Sequence, residues 1–424
     1  MFGVTSAYAT DGSHGDLVAS VPKHYDASVR SSAYTARWSL PLGNTSRAYN
    51  PGMGRRTIAV ASLVIAGLAI VACTVFDGLS VPSGEVSSPE AGLDAGDAGD
   101  GRCKLASLPT GGQSGVSGGS GQYDLVVSAL RLGFDGGVPS RTFGYDLDNA
   151  CTCPEPSPCK PRSPDAGPPP CDTDDGRDNA GAVVFQLISV AATGGGGTTD
   201  SEAYLNSAIK QGSSSLLLRI ADFNGGEDDD DVTVYLFRAL GTSNDAGNNY
   251  PPTFGPSDVW RPSADDNRGG QPVYFARGFV RKNMLVGELQ SLRLPITQDT
   301  DLYVTNATFT GRLVKVDARS FRAEDGYLAG RLPTKELLDT IAKLKIPPGD
   351  THLCDEPRDL PTQLAVDQLR AEICAGADIR VGPGETCNAL TTTFGFDAVP
   401  VTFGAFKNPS VIPICLDGGI PDCE

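Results

Sequence analysis

Histidine is nearly missing from this 424-residue chain, with three in all and only His352 beyond position 24. Multi-histidine metal sites are therefore excluded, and any Ser-His-Asp or Cys-His machinery would have to use His352, two positions from Cys354. Basic side chains are also scarce, 34 against 51 acidic ones, for a net charge of −17. Phosphate binding rests on clustered Lys and Arg that release counterions, and no basic stripe is present, so nucleic acid is excluded as a partner. No repeat of 20 to 50 residues is visible, which argues against a propeller or solenoid. Glycine runs such as TGGGGTTD, 193–200, lack the flanking strand and helix of a phosphate cradle and read as loops.

One long apolar run is present. Residues 53–78 read MGRRTIAVASLVIAGLAIVACTVFDG, and Arg55-Arg56, the apolar stretch 57–71 and Ala72-Cys73 follow the order of an export signal: positive stub, apolar core, small-residue cleavage site. The ending Ile70-Val71-Ala72-Cys73 resembles the lipobox of bacterial lipoproteins. That resemblance implies residues 53–72 as signal peptide, Cys73 as the acylated first residue of the mature chain, and the membrane as a partner through that lipid. A transmembrane helix is the competing reading, since 57–76 is an uncharged stretch of about 30 Å at 1.5 Å per residue. Residues 1–52 carry no hydrophobic periodicity and read as a non-translated or disordered extension ahead of a start at Met53. Removing residues 1–72 takes 6 basic and 3 acidic side chains, leaving 28 against 48, near −20.

Of eleven cysteines, ten remain beyond Cys73: Cys103, Cys151, Cys153, Cys159, Cys171, Cys354, Cys374, Cys387, Cys415 and Cys423. An even number in an exported chain favours disulfides, mostly local to each cluster. Zinc is disfavoured because Cys151, Cys153, Cys159 and Cys171 form no paired C-x-x-C pattern.

Residues 73–121 are rich in Gly, Ser and Asp and read as a tether with a reach of roughly 40 Å. Within it Gly115-Val116-Ser117-Gly118-Gly119 fits G-x-S-x-G but lacks the strand and helix that strain a nucleophilic serine outward. From 122 onward short apolar runs alternate with turn residues, among them YDLVVSALRLGF, SLLLRIADF, DVTVYLFRAL and LYVTNATFTGRLVKV. These predict a mainly β fold, an antiparallel β-sandwich over 122–330 with a Cys/Pro-rich insert at 149–180. The acidic run in FNGGEDDDDV reads as a solvated hairpin loop. Helices are expected at SEAYLNSAIKQG, at KELLDTIAKL capped by Thr334, and at TQLAVDQLRAEIC, which carries Cys374 in its last turn. The last two belong to a helix-containing, disulfide-pinned C-terminal region, 331–424.

The acidic stretches GYDLDNACTC and CDTDDGRDNAG flank the insert. Asp146, Asp148, Asp172, Asp174, Asp175 and Asp178 supply alternating carboxylates around Gly176, a pattern suited to calcium, which takes six to eight oxygens. The run resembles calcium loops of the D-x-D-x-D-G kind but is one residue short between Asp174 and Asp175, and solvated acidic turns are the simpler reading.

GYDLDNACTC, DTDDGRDNAG, LLLRIADFNG, DGYLAGRLPTKELL and ETCNALTTTFGF together resemble uncharacterised, lineage-restricted lipoproteins of high-GC Gram-negative bacteria. The resemblance implies location and assigns no catalytic residue. Thr74 in place of the aspartate that retains enteric lipoproteins in the inner membrane implies the outer membrane, on its periplasmic or surface face. The function classes left are a lipid-anchored envelope protein with a ligand-binding or structural role, a carboxylate-based extracellular or periplasmic hydrolase, a calcium-dependent adhesion module and an envelope spacer. No catalytic pair can be chosen among so many carboxylates. Intact-mass analysis of membrane-extracted protein should find a lipid-modified chain beginning at Cys73; an unmodified chain still holding residues 53–72 would contradict the lipobox reading.

Overall fold

The computed structural model describes residues 106–423, apart from 110, 112–113, 136–137, 141–142, 151–156, 163–171, 173–175, 183, 186–200, 244–248, 298–299, 345–351, 355–359, 410–414 and 416–418. Cys73, Cys103, Cys151, Cys153, Cys171, Asp174, Asp175, the 53–72 signal and residues 1–52 lie outside the described residues.

Eight long strands build the body: β1 Gly121–Arg131, β2 Leu216–Phe223, β3 Asp229–Ser243, β4 Tyr274–Arg281, β5 Met284–Thr297, β6 Thr300–Lys315, β7 Phe321–Pro333 and β8 Ala389–Pro400. They pair antiparallel in the order β4-β5-β6-β7-β8-β1-β2-β3, and β3 then pairs with β4 through Tyr235↔Phe275, Val234↔Ala276 and Thr233↔Arg277. The sheet is therefore a closed barrel, and the expected β-sandwich is corrected. Both architectures are written with the same half-buried strands; what separates them is which distant strands meet. Here the 232–238 stretch of β3 accepts β2 on one side and β4 on the other, leaving no open edge in the main sheet. Register shifts on β1, β4, β5, β6 and β7 bend the strands around the barrel.

Side-chain alternation explains the inside and the outside. Along β5, Leu289, Leu292 and Leu294 are buried while Glu288, Gln290 and Arg293 are exposed. The inward set joins Leu125, Val127, Leu218, Leu236, Phe309, Leu328 and Phe396 in one core. Two glycines make room for its rings: a Cβ on Gly287 would lie 2.5 Å from the Phe309 ring, and one on Gly326 would lie 2.5 Å from that of Phe396. Strands β1 to β3 are buried on both faces, which is why they read as continuous apolar runs. Their outward Val126, Leu217, Phe237 and Ala239 pack under Trp260 and Val401 in a second core. A flap made of the strand Val259–Pro262 and its parallel neighbour Thr402–Phe403 covers this face.

Three helices lie where expected: α1 Ser201–Lys210, α2 Thr334–Ala342 and α3 Leu360–Ala375. Gly212 ends α1 in the left-handed region (φ 71°), its N–H on the Ile209 carbonyl and that of Ser213 on the Ala208 carbonyl, the Schellman arrangement. Ile209 closes one mouth of the barrel over Leu130, Leu216 and Leu294. Thr334 does not cap α2: Pro333 holds the N-cap position, and the Thr334 hydroxyl donates to the Asn388 carbonyl. Leu337, Leu338 and Ile341 of α2 and Val366, Leu369 and Ile373 of α3 belong to the barrel's own core.

Among the described residues three disulfides are present: Cys354–Cys415, Cys374–Cys423 and Cys159–Cys387. The first two are local to the C-terminal cluster. The third joins the insert to the loop before β8 across 228 residues, and it removes Cys159 from any zinc set.

The acidic run does lie at the hairpin joining β2 and β3, with Glu227 and Asp231 exposed, but it is not solvated throughout, because Asp229 is fully buried. Its carboxylate accepts the N–H groups of Gly118, Asn224 and Asp231 at 2.9, 2.8 and 3.2 Å. Asp230 takes Ser114 and Gly115 N–H at 3.1 and 2.9 Å and pairs with Arg281. Ala106 accepts the Asp146 N–H, and Gly111 lies against the Phe279 ring. The described residues of 106–120 thus form a strap bound to the barrel wall. Backbone donors and Arg281 hold Asp230 down to about 2. Its folded pKa lies below the unfolded value near 4, so its contribution is full above about pH 4 and is lost as pH falls through about 2. Asp229→Ala orphans three N–H groups and should lower stability by roughly 3 kcal/mol in urea unfolding, with new proteolytic cuts between 114 and 120; unchanged stability and digestion would contradict the clamp.

Candidate functional site

Of the six aspartates singled out from sequence, the fold brings three together: one carboxylate oxygen from each of Asp146, Asp148 and Asp178 lies within 4.8 Å of the others. Asp172 joins them through a hydrogen bond to Asp178. Two loops deliver these groups. Asp146 folds the first into an Asx turn by accepting the N–H of Asp148 and Asn149 at 3.3 and 2.7 Å, and Asn149 takes φ 58°. The second loop locks to the first through Asp178 N–H on the Tyr145 carbonyl and Leu147 N–H on Asp178 Oδ2 at 3.1 Å. Both then fasten to the barrel wall: Tyr145 OH bonds Thr310 Oγ1 at 2.9 Å, Asn179 Oδ1 accepts Thr393 N–H at 3.0 Å, and Thr391 Oγ1 accepts Ala180 N–H at 3.2 Å.

Two further charges were invisible to the sequence reading. Asp378 lies some 200 positions downstream of the others; it accepts Thr391 N–H at 2.8 Å and Thr391 Oγ1 at 2.5 Å, and its charge acts on Asp178. Arg331 donates to the Leu147 carbonyl at 3.1 Å and is the cation that acts on Asp148 and Asp378. No linear motif links either to the acidic loops: β7 carries Arg331 there, and Asp378, in the segment after α3, is held there by Thr391 of β8.

Burial sets the electrostatics. Asp146 and Asp178 are 5% and 4% exposed. Desolvation, then repulsion from Asp148 and Asp172, pushes Asp146 up to about 6. Asp148 is raised chiefly by burial. Asp178 stands far above the carboxylate range through burial, its bond to Asp172 and the nearby charges of Asp172, Asp378 and Asp148. Burial takes Asp378 to about 7 and draws Arg331 down. Carboxylates this close cannot all ionise in a dry site, so near neutrality they share protons or share a cation.

Calcium is compatible with the geometry. Oxygens bound at about 2.4 Å to one ion stand no more than about 4.8 Å apart, a limit the three oxygens here meet. Asp146, Asp148 and Asp178 would be the ligands, with Asp172 beside them.

His352 and the other buried carboxylates are committed elsewhere. His352 Nδ1 lies 2.8 Å from the Lys343 carbonyl, beside the Cys354–Cys415 bridge. Asp266 and Asp301 both bind the buried Arg238, at 3.0 and 2.6 Å, in an ion group that ties β3 to β6. An interior gap lined by Val127, Leu218, Leu236 and Phe309 measures about 20 Å³, room for about one water and far below the roughly 300–1,000 Å³ of small-molecule sites.

The raised aspartates make stability fall with pH. Their contribution is full below the unfolded pKa near 4 and is lost as pH rises through about 6 for Asp146 and about 7 for Asp378. In chelator the melting temperature should drop between pH 5 and pH 8; millimolar calcium should restore it at pH 8 with little effect at pH 5. Asp146→Asn with Asp178→Asn should remove the calcium response and reduce the pH response to the part due to Asp378, and identical melting with calcium and chelator at pH 8 would leave a proton-sharing cluster only. Comparison of the chain with protein-family profiles, with curated proteins and with solved structures found no match.

Proposed function

We propose that this chain is a lipid-anchored envelope protein of the outer membrane whose barrel works by recognition or as structure, without turnover. The observation that carries the reading is the barrel itself: its interior is filled by aliphatic and aromatic side chains and one mouth is closed by α1, so chemistry inside it has no room. Its outer wall shows Arg277, Glu288, Gln290, Arg293, Arg312 and Arg322 to solvent, the reverse of the apolar belt by which a barrel spans a bilayer. Anchorage then falls to Cys73, supported by the lipobox order, and the strap hands the tether to the wall at Asp229 and Asp230. Disulfides agree with an oxidising compartment.

A second reading, a calcium-dependent module, is favoured by the convergence of Asp146, Asp148 and Asp178. In it the ion fixes the two acidic loops against β7 and β8.

Cys73→Ala should move the protein from the membrane fraction to the soluble fraction with the barrel still folded. A glycan and metabolite screen on the purified protein, read for both binding and product formation, should return binding without conversion. Conversion of any bound compound would favour the hydrolase class instead.

A further inference from the structure

A groove of about 200 Å³ opens on the barrel surface where the end of α1 meets the end of β3 and the segment after the flap. Gln211, Asn249, Tyr250, Lys407 and Asn408 supply its polar lining. The volume is below the roughly 300–1,000 Å³ of drug-sized sites, which limits an occupant to something on the order of one sugar ring.

The charge of this groove is unusual for the chain. Acidic side chains outnumber basic ones 51 to 34, yet among the described residues Lys407 lines the groove and no carboxylate does. Arg261 borders it, its guanidinium donating to Asn249 Oδ1 and lying near Gly241 of the lining. Elsewhere on the wall Arg131, Arg219, Arg238 and Arg281 each hold an aspartate. Arg261 and Lys407 hold none among the described residues, and Arg261 Nε is buried with no hydrogen-bond partner. The end of the guanidinium, with Nη2 near Asn249 and Gly241, is the part that reaches the groove.

The nearby carboxylate is already spent. Asp258 touches Tyr250 OH but is itself buried, accepting the N–H groups of Thr253 and Phe254 at 2.8 and 2.6 Å. The carbonyls ending α1 are likewise capped by Gly212 and Ser213. Cationic donors thus meet amide groups and a Tyr250 ring fixed through its hydroxyl by Val259 N–H.

We infer that the groove binds a small carboxylate-bearing polyol of the sugar-acid class, its carboxylate toward Lys407 and Arg261 and its hydroxyls toward the Asn249, Asn408 and Gln211 amides. This rests on the recognition reading above and names its ligand class. Sodium glucuronate is the probe, titrated into the full purified chain by calorimetry and by fluorescence of Trp260, the neighbour of Arg261 in sequence. Saturable binding is expected, at least tenfold weaker for glucose and for inorganic phosphate, and at least tenfold weaker in Lys407→Glu and in Asn408→Ala, both exposed positions. No saturation by 10 mM (roughly the weak end of specific small-ligand affinity), equal binding in Lys407→Glu, or phosphate matching glucuronate would overturn the inference. Those failures would leave the anchored-barrel reading intact, since membrane release of Cys73→Ala tests it separately.

Discussion

The pairing of β3 with β4 is the constraint on which the rest depends. Without it the sheet would have two long edges, each a row of unpaired backbone donors and acceptors open to other chains. With it, eight strands enclose a space that side chains alone can fill, and Leu125, Leu236, Phe309 and Phe396 fill it. The wall then becomes the working surface. Helices close one mouth, the flap covers the outward face of β1 to β3, and the two acidic loops lie along β7 and β8.

The negative charge of the chain has an internal use that its composition conceals. Asp229, Asp230 and Asp258 act as clamps for backbone N–H groups, and Asp266 and Asp301 hold Arg238. Asp229, Asp230, Asp258 and Asp266 each accept more than one N–H donor, and Asp301 accepts from the Arg238 guanidinium, so donors replace the water lost at these carboxylates. The Asp146, Asp148 and Asp178 group differs because carboxylates there face one another. There the fold concentrates like charge instead of neutralising it, and protons or a cation must settle the account.

Local features were legible in the sequence because they depend on near neighbours. The runs YDLVVSALRLGF, SLLLRIADF, DVTVYLFRAL and LYVTNATFTGRLVKV became strands, although GAVVF at 181–185 is helical in its described residues; SEAYLNSAIK became α1 with Gly212 ending it, and Cys374 reached the last turn of α3 to bridge Cys423. Barrel closure was not legible, since sandwich and barrel share one alternation and differ only in whether Tyr235 meets Phe275. The run DDDD was misread for a related reason: four like charges suggest solvent until a distant glycine-rich segment supplies N–H donors. Three of the six acidic candidates did converge, but Arg331 on β7 and Asp378 in the segment after α3 came from distant parts of the chain that no spacing rule connects to them. The Cys159–Cys387 bridge escaped the expectation of local pairing in the same way.

Closure is tested most directly by amide hydrogen exchange read by mass spectrometry on the folded protein. In a closed barrel the amides of 232–238 and 274–280 are as strongly protected as those of 285–294 and 302–314, because each strand has a neighbour on both sides. Fast exchange confined to 274–280, with slow exchange in 302–314, would mean that β4 is an open edge and would contradict the barrel.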